Sequence, residues 1–144
     1  MRILIAEDDE AGGLLLSSVL RKELNWEVTL TSNGGVAWWH LTDPKTDPYD
    51  LLITDLHMPE ISGLDLVRRV RATKQVSSLN ILVCTANKDR ETVKEMIQLR
   101  TNGYILKPYQ PNAVVEKVRE FSSGKIHRRV AIEGNVEAEP TAAV

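Results

Sequence analysis

Short apolar runs alternate with longer helical patterns five times along the chain, the arrangement of βα units wound around a parallel sheet. Ile3-Leu4-Ile5-Ala6 is the first run. A helix follows from about Glu10 to Leu24, with Ala11, Leu15, Leu16, Val19 and Leu20 expected on its inner side and Gly12-Gly13 weakening its first turn. Trp26, Val28 and Leu30 alternate with Glu27, Thr29 and Thr31, which predicts a half-exposed strand at a sheet edge. Asn33-Gly34-Gly35 turns into a helix carrying Val36, Trp38, Trp39 and Leu41, and the Pro-broken stretch Asp43 to Pro48 is a loop.

Leu51-Leu52-Ile53-Thr54 and Ile81-Leu82-Val83-Cys84 do not alternate, as expected of central strands covered on both faces. Between them Ser62 can cap a helix over Gly63–Ala72. A further helix is expected over about Lys88–Arg100, a fifth strand at Tyr104-Ile105-Leu106, and a last helix from Pro111 to about Phe121. The expected fold is therefore α/β, a doubly wound five-stranded parallel sheet with five helices. Residues 1–124 form the domain and 125–144 a tail without periodicity, expected to be mobile.

Composition narrows the function classes. The 144 residues are 42% hydrophobic and 26% charged, ordinary for a globular chain of one domain. No apolar run approaches the roughly 20 residues that cross a bilayer, and Glu7 follows the first apolar run too early for a secretory signal. A single cysteine, Cys84, permits neither an internal disulfide nor a Cys-based zinc site and agrees with a cytoplasmic location. A formal net charge of -2 supplies no field for nucleic acid. The local basic groups Arg68, Arg69, Arg71, Lys74 and Lys125, His127, Arg128, Arg129 read as solvated faces or tails.

In a doubly wound sheet, ligands bind outside the carboxyl ends of the strands. The residues that follow those ends are Glu7, Asp8 and Asp9 after the first strand, Asp55 after the third, Thr85 at the fourth and Lys107 after the fifth. They share one rim. Two carboxylates about 5 Å apart repel by roughly 3 kcal/mol at an effective dielectric near 20, so Glu7, Asp8 and Asp55 call for a cation. Mg2+ suits such oxygens, and without a His or Cys cluster zinc does not. A carboxylate beside Mg2+ and a Lys is also a competent nucleophile toward phosphorus, with Lys107 neutralising phosphoryl oxygens and Thr85 donating a hydrogen bond.

The acidic pair, Asp55 followed by Met58-Pro59 and Gly63, Thr85-Ala86 and Lys107-Pro108 occur in order, with steps of 30 residues from Asp55 to Thr85 and 22 from Thr85 to Lys107. In this the chain, over about residues 1–122, resembles a response-regulator receiver domain (CheY-like) of two-component signalling. The resemblance implies a flavodoxin-like sheet of order 2-1-3-4-5 and a phosphoprotein rather than an enzyme, which takes a phosphoryl group on Asp55 from a histidine kinase or histidine phosphotransfer protein. It implies Mg2+ at Glu7, Asp8, Asp55 and the backbone carbonyl of His57, phosphate contacts from Thr85 and Lys107, and a switch through Thr85 and Tyr104 toward a downstream effector protein. Neither nucleic acid nor a membrane is expected as a partner. A phosphorylation-dependent homodimer stays open, as do a receiver module of a longer regulator and a pseudo-receiver scaffold. A phosphatase of the haloacid-dehalogenase type would need an Asp where His57 stands. Arg100-Thr101 occupies the places of the family's Gly-Ala pair before the fifth strand, and Gln110 stands where Ser or Thr caps the last helix.

Overall fold

The computed structural model describes residues 1–123 and the two-residue segment Ile132–Glu133. Its elements run β1 Arg2–Ala6, α1 Glu10–Leu24, β2 Glu27–Thr31, α2 Gly34–Thr42, β3 Leu51–Thr54, α3 Gly63–Ala72, β4 Asn80–Thr85, α4 Arg90–Gln98, β5 Gly103–Leu106, α5 Pro111–Ser122 and β6 Ile132–Glu133. All pairings are parallel and the order is β2-β1-β3-β4-β5-β6. The expected order 2-1-3-4-5 is present, extended by β6, which sets Ile132 opposite Tyr104 on the outer side of β5. The segment expected to be a mobile tail thus contributes one short strand. Its remaining residues, the second basic group among them, lie outside those described.

Successive side chains of a strand point to opposite faces, so each buried strand feeds two cores. Leu4, Ala6, Leu52, Ile81, Val83 and Tyr104 pack on one face with Ala37, Leu66, Val67, Val70 and Met96 of α2, α3 and α4. Ile3, Ile5, Leu51, Ile53, Leu82 and Ile105 pack on the other with Leu16 and Leu20 of α1 and Val114, Val115, Val118 and Phe121 of α5. This explains why the β1, β3 and β4 segments read as continuous apolar runs, whereas β2, paired only with β1, keeps its alternation.

The inner face of α1 differs from the expectation. Gly13, Leu16, Ser17 and Leu20 are buried, while Leu14 and Leu15 are 53% and 55% exposed. The small Gly13 lies on the buried side, where a Cβ would stand 3.0 Å from the end of the Leu30 side chain. Helix starts follow local chemistry. Asn33 accepts hydrogen bonds from the Gly35 and Val36 amides at 2.6 and 3.2 Å, and Ser62 accepts one from the Asp65 amide. Asp9 and Gln110 hold cap positions without a capping side-chain bond. Trp38 packs against the core and Trp39 is exposed, as their angular separation predicts.

Candidate functional site

The rim at the carboxyl ends of the strands gathers every residue singled out there. Backbone pairing positions the acids: the Glu7 amide donates to the Thr31 carbonyl at 2.9 Å and the Asp55 amide to the Ala6 carbonyl at 3.1 Å, continuing the ladders one residue past β1 and β3. The Lys107 amide donates to the Thr85 carbonyl at 2.9 Å, extending β4 and β5 in the same way. Carboxylate oxygens of Glu7, Asp8 and Asp55 lie within 4.8 Å of one another, with Glu7 buried and Asp8 exposed. The donor set is all oxygen, which fits a hard divalent cation.

Lys107, one residue past β5, joins the cluster. Its Nζ donates to Asp55 Oδ2 at 2.8 Å and to Glu7 Oε1. Asp55 Oδ1 accepts the Leu56 amide at 2.6 Å and the His57 amide at 3.4 Å. Burial pushes Asp55 up, but the Lys107 ammonium, aided by the Thr85 side chain and the Leu56 amide, outweighs it and holds the carboxyl below its ordinary value. Burial wins at Glu7, whose value is raised although Lys107 and the Asp9 amide oppose it. Lys107 itself is held up by the two carboxylates against the pull of burial. One ammonium thus bridges two of the three acids, and burial leaves Glu7 easier to protonate than a free carboxyl.

Thr85 is fully buried beneath this cluster, and its Oγ1 accepts the Asn87 amide at 3.3 Å. Tyr104 is also fully buried, pointing inward, and its hydroxyl donates to the Asn87 carbonyl. The Asn87 segment therefore touches both residues expected to form the switch. His57 presents an exposed side chain next to Asp55, and only its backbone faces the site through the amide already described. Beside the cluster lies a cavity of about 380 Å³ lined by Glu7, Asp9, Leu15, Lys107, Pro108 and Tyr109 among others.

Two glycines shape the loop after Asp55. A Cβ on Gly63 would stand 1.6 Å from the Asp55 carbonyl oxygen, and the Gly63 amide donates to the Leu56 carbonyl at 2.9 Å. A Cβ on Gly34 would stand 1.7 Å from the Ile61 carbonyl oxygen. Spacing identified Gly63 as part of a motif; the sequence marked Gly34 only as part of the turn into α2, because its close neighbour is reached across the fold. Arg71 was expected on a solvated face and is not there. Its guanidinium donates to the carbonyls of Leu99, Ser77, Leu79 and Arg100, and burial, with Arg100 nearby, pulls it down to about 10.

Comparison with known proteins agrees with this geometry. The profile of the response regulator receiver domain matches residues 3–119. The chain is 32% identical to the chemotaxis protein CheY1 of Helicobacter pylori over 118 residues, 82% of this chain and 94% of that one. It is 32% identical to the chemotaxis protein CheY of Pseudomonas aeruginosa over 121 residues, 84% and 95% of the two chains. Among solved structures, a response regulator receiver protein from Pseudomonas putida superposes with a TM-score of 0.75 at 26% identity, covering 83% of this chain and 95% of that one. A CheY-like receiver domain protein from Methanospirillum hungatei shares the fold at a TM-score of 0.75 and 22% identity over 86% and 94%. Acids, hydroxyl and lysine converging on the strand ends, in a chain whose residues 3–119 match the receiver profile from β1 into α5, make this protein a member of the response-regulator receiver family.

Proposed function

We propose that the chain accepts a phosphoryl group on Asp55 from a phosphohistidine of a kinase or phosphotransfer protein and thereby changes its affinity for an effector protein. The observation that carries this reading is the lysine bridge: Lys107 Nζ bonded to both Glu7 and Asp55, in a cluster that also contains Asp8. In the transfer, an Asp55 carboxylate oxygen bonds phosphorus as the P–N bond breaks, and the departing imidazole nitrogen keeps the electron pair and takes a proton. Because Lys107 holds the Asp55 carboxyl low, the nucleophile is ionised at neutral pH. Lys107 and the Thr85 hydroxyl then face the phosphoryl oxygens.

Glu7, Asp8, Asp55 and the His57 carbonyl would hold Mg2+, which supplies positive charge against those oxygens. Exposed Leu14 and Leu15, with the cavity at Leu15 and Tyr109, offer the donor protein an apolar approach beside the acids. On the signalling side, a phosphoryl group adds about -1.5 to -2 charge next to Thr85, whose hydroxyl is bonded to the same Asn87 segment that anchors Tyr104. A change at Thr85 therefore reaches Tyr104 and β5 through one residue.

Incubation with acetyl phosphate and Mg2+ tests the reading. One acid-stable, base-labile phosphoryl group per chain, absent from Asp55→Asn, is the expected result. Continuous turnover would indicate a hydrolase, and no adduct would leave a binding scaffold.

A further inference from the structure

Gly34 lies outside the acid cluster, on the first residue of α2, yet it touches the loop that leads from Asp55 into α3. Its amide donates to the Pro59 carbonyl at 3.4 Å, and a Cβ added to it would stand 1.7 Å from the Ile61 carbonyl oxygen and 2.7 Å from the Ile61 carbonyl carbon. Both neighbours are backbone, so a side chain at 34 can be accommodated only if the loop or the helix moves. Neither is free to do so. Asn33 fixes the start of α2 by accepting the Gly35 and Val36 amides. The loop is pinned at its far end, where the Gly63 amide donates to the Leu56 carbonyl, and Glu60 within it adopts a φ of 64°.

We propose that Gly34 is a positioning residue for the cation site. Its missing side chain lets α2 press backbone to backbone on residues 59–61 and so sets where the His57 carbonyl stands relative to Asp55. This rests on the reading that Glu7, Asp8, Asp55 and the His57 carbonyl hold Mg2+. The adjacent Gly35 provides an internal comparison. A Cβ there would meet the carboxylate end of Glu60 at 2.4 Å and the Asn33 side chain at 3.1 Å, and the nearer neighbour is the far end of a flexible side chain that can swing away. Gly34→Ala and Gly35→Ala make the same chemical change in the same helical turn, but only the first displaces loop backbone.

The test is calorimetric titration of Mg2+ into the whole chain and these two variants, with amide hydrogen exchange on the unsubstituted protein. Gly34→Ala should weaken Mg2+ binding at least tenfold, and Gly35→Ala should change it less than twofold. Coupling is reciprocal, so Mg2+ should also slow exchange at the Gly34 amide of the unsubstituted chain, a measurement that stands even if Gly34→Ala does not fold. A folded Gly34→Ala with unaltered Mg2+ affinity, or an unaltered Gly34 exchange rate on saturation, overturns the positioning role and leaves the cation site intact. An unsubstituted chain that takes up no Mg2+ overturns both.

Discussion

Arg100 shows how one residue can carry a cost that its neighbours offset. It follows α4 with a φ of 57°, in the left-handed region where a Cβ crowds the following carbonyl, and its amide closes the helix by donating to the Ile97 carbonyl at 3.0 Å. Glycine commonly fills such a position after a helix. Here the chain relies on what comes next. The Thr101 hydroxyl donates to the Met96 carbonyl at 3.1 Å, and Asn102 accepts the Ile81 amide on its side chain at 2.8 Å while its own amide donates to the Ile81 carbonyl at 2.7 Å. These bonds bring the chain into β5 without the family's Gly-Ala pair. Arg100 also places a second positive charge near the Arg71 guanidinium. Arg100→Gly removes both the Cβ strain and that repulsion while keeping the backbone carbonyl that Arg71 uses. It should therefore raise the unfolding free energy by about 1 kcal/mol, read from the urea midpoint at unchanged slope. A lower midpoint would mean that the arginine side chain does more here than the backbone argument allows.

At the scale of elements, the strands and the site were legible because both depend on local signals: unbroken apolar runs for buried strands, and acids, Thr or Lys at their ends. Glu7, Asp8, Asp55, Thr85 and Lys107 could be placed on one rim from their positions at the ends of predicted strands. What stayed hidden depends on contacts between elements. The buried face of α1 runs through Gly13 and Ser17, residues of small size, so hydrophobicity pointed to Leu15, midway between them and exposed. β6 adds only Ile132 and Glu133 to the sheet, too little for periodicity to reveal. Arg71 reads as one more charge on α3, but it binds four backbone carbonyls of the α3–β4 connection and the end of α4. Arg68 on the same helix forms a two-pronged pair with Glu95 of α4 at 2.6 and 2.8 Å, but with its side chain 47% exposed. The two arginines tie α4 to α3 with unequal strength. Arg71→Met leaves half-buried carbonyls without donors and should cost about 2–3 kcal/mol. Arg68→Met should stay within about 1 kcal/mol, as solvent-screened pairs do. Equal losses in parallel urea unfolding curves would refute this ranking.

For the molecule as a whole, charge at the site works against the fold at Glu7 and for it at Asp55 and Lys107. Glu7 has a raised value in the folded state because it is buried, so its contribution to stability is present below the unfolded value near 4.5 and is lost as pH rises through the folded one. Asp55 behaves oppositely: held low chiefly by Lys107 despite its burial, it contributes stability above the unfolded value near 3.8, lost only as pH falls through the folded one. Lys107, raised by its two acids against burial, keeps its contribution until pH climbs through a folded value above 10.5. Near pH 7, therefore, the Asp55 and Lys107 contributions are present in full, whereas the Glu7 contribution is gained as pH falls through its raised folded value. Without divalent cations, lowering pH from 7 toward 4.5 should raise the unfolding temperature through proton uptake at Glu7, and Glu7→Gln should flatten that slope. A cation that binds the folded chain compensates the same buried carboxylate without a proton. Mg2+ at 100 times its dissociation constant adds about 2.7 kcal/mol, a shift of several degrees for a domain of this size, and should remove most of the pH dependence between 7 and 4.5. Thermal unfolding at both pH values, with and without Mg2+, checks this. An unfolding temperature at pH 7 indifferent to Mg2+ would mean that the three acids balance one another through Lys107 alone, with no stability gained by a bound ion.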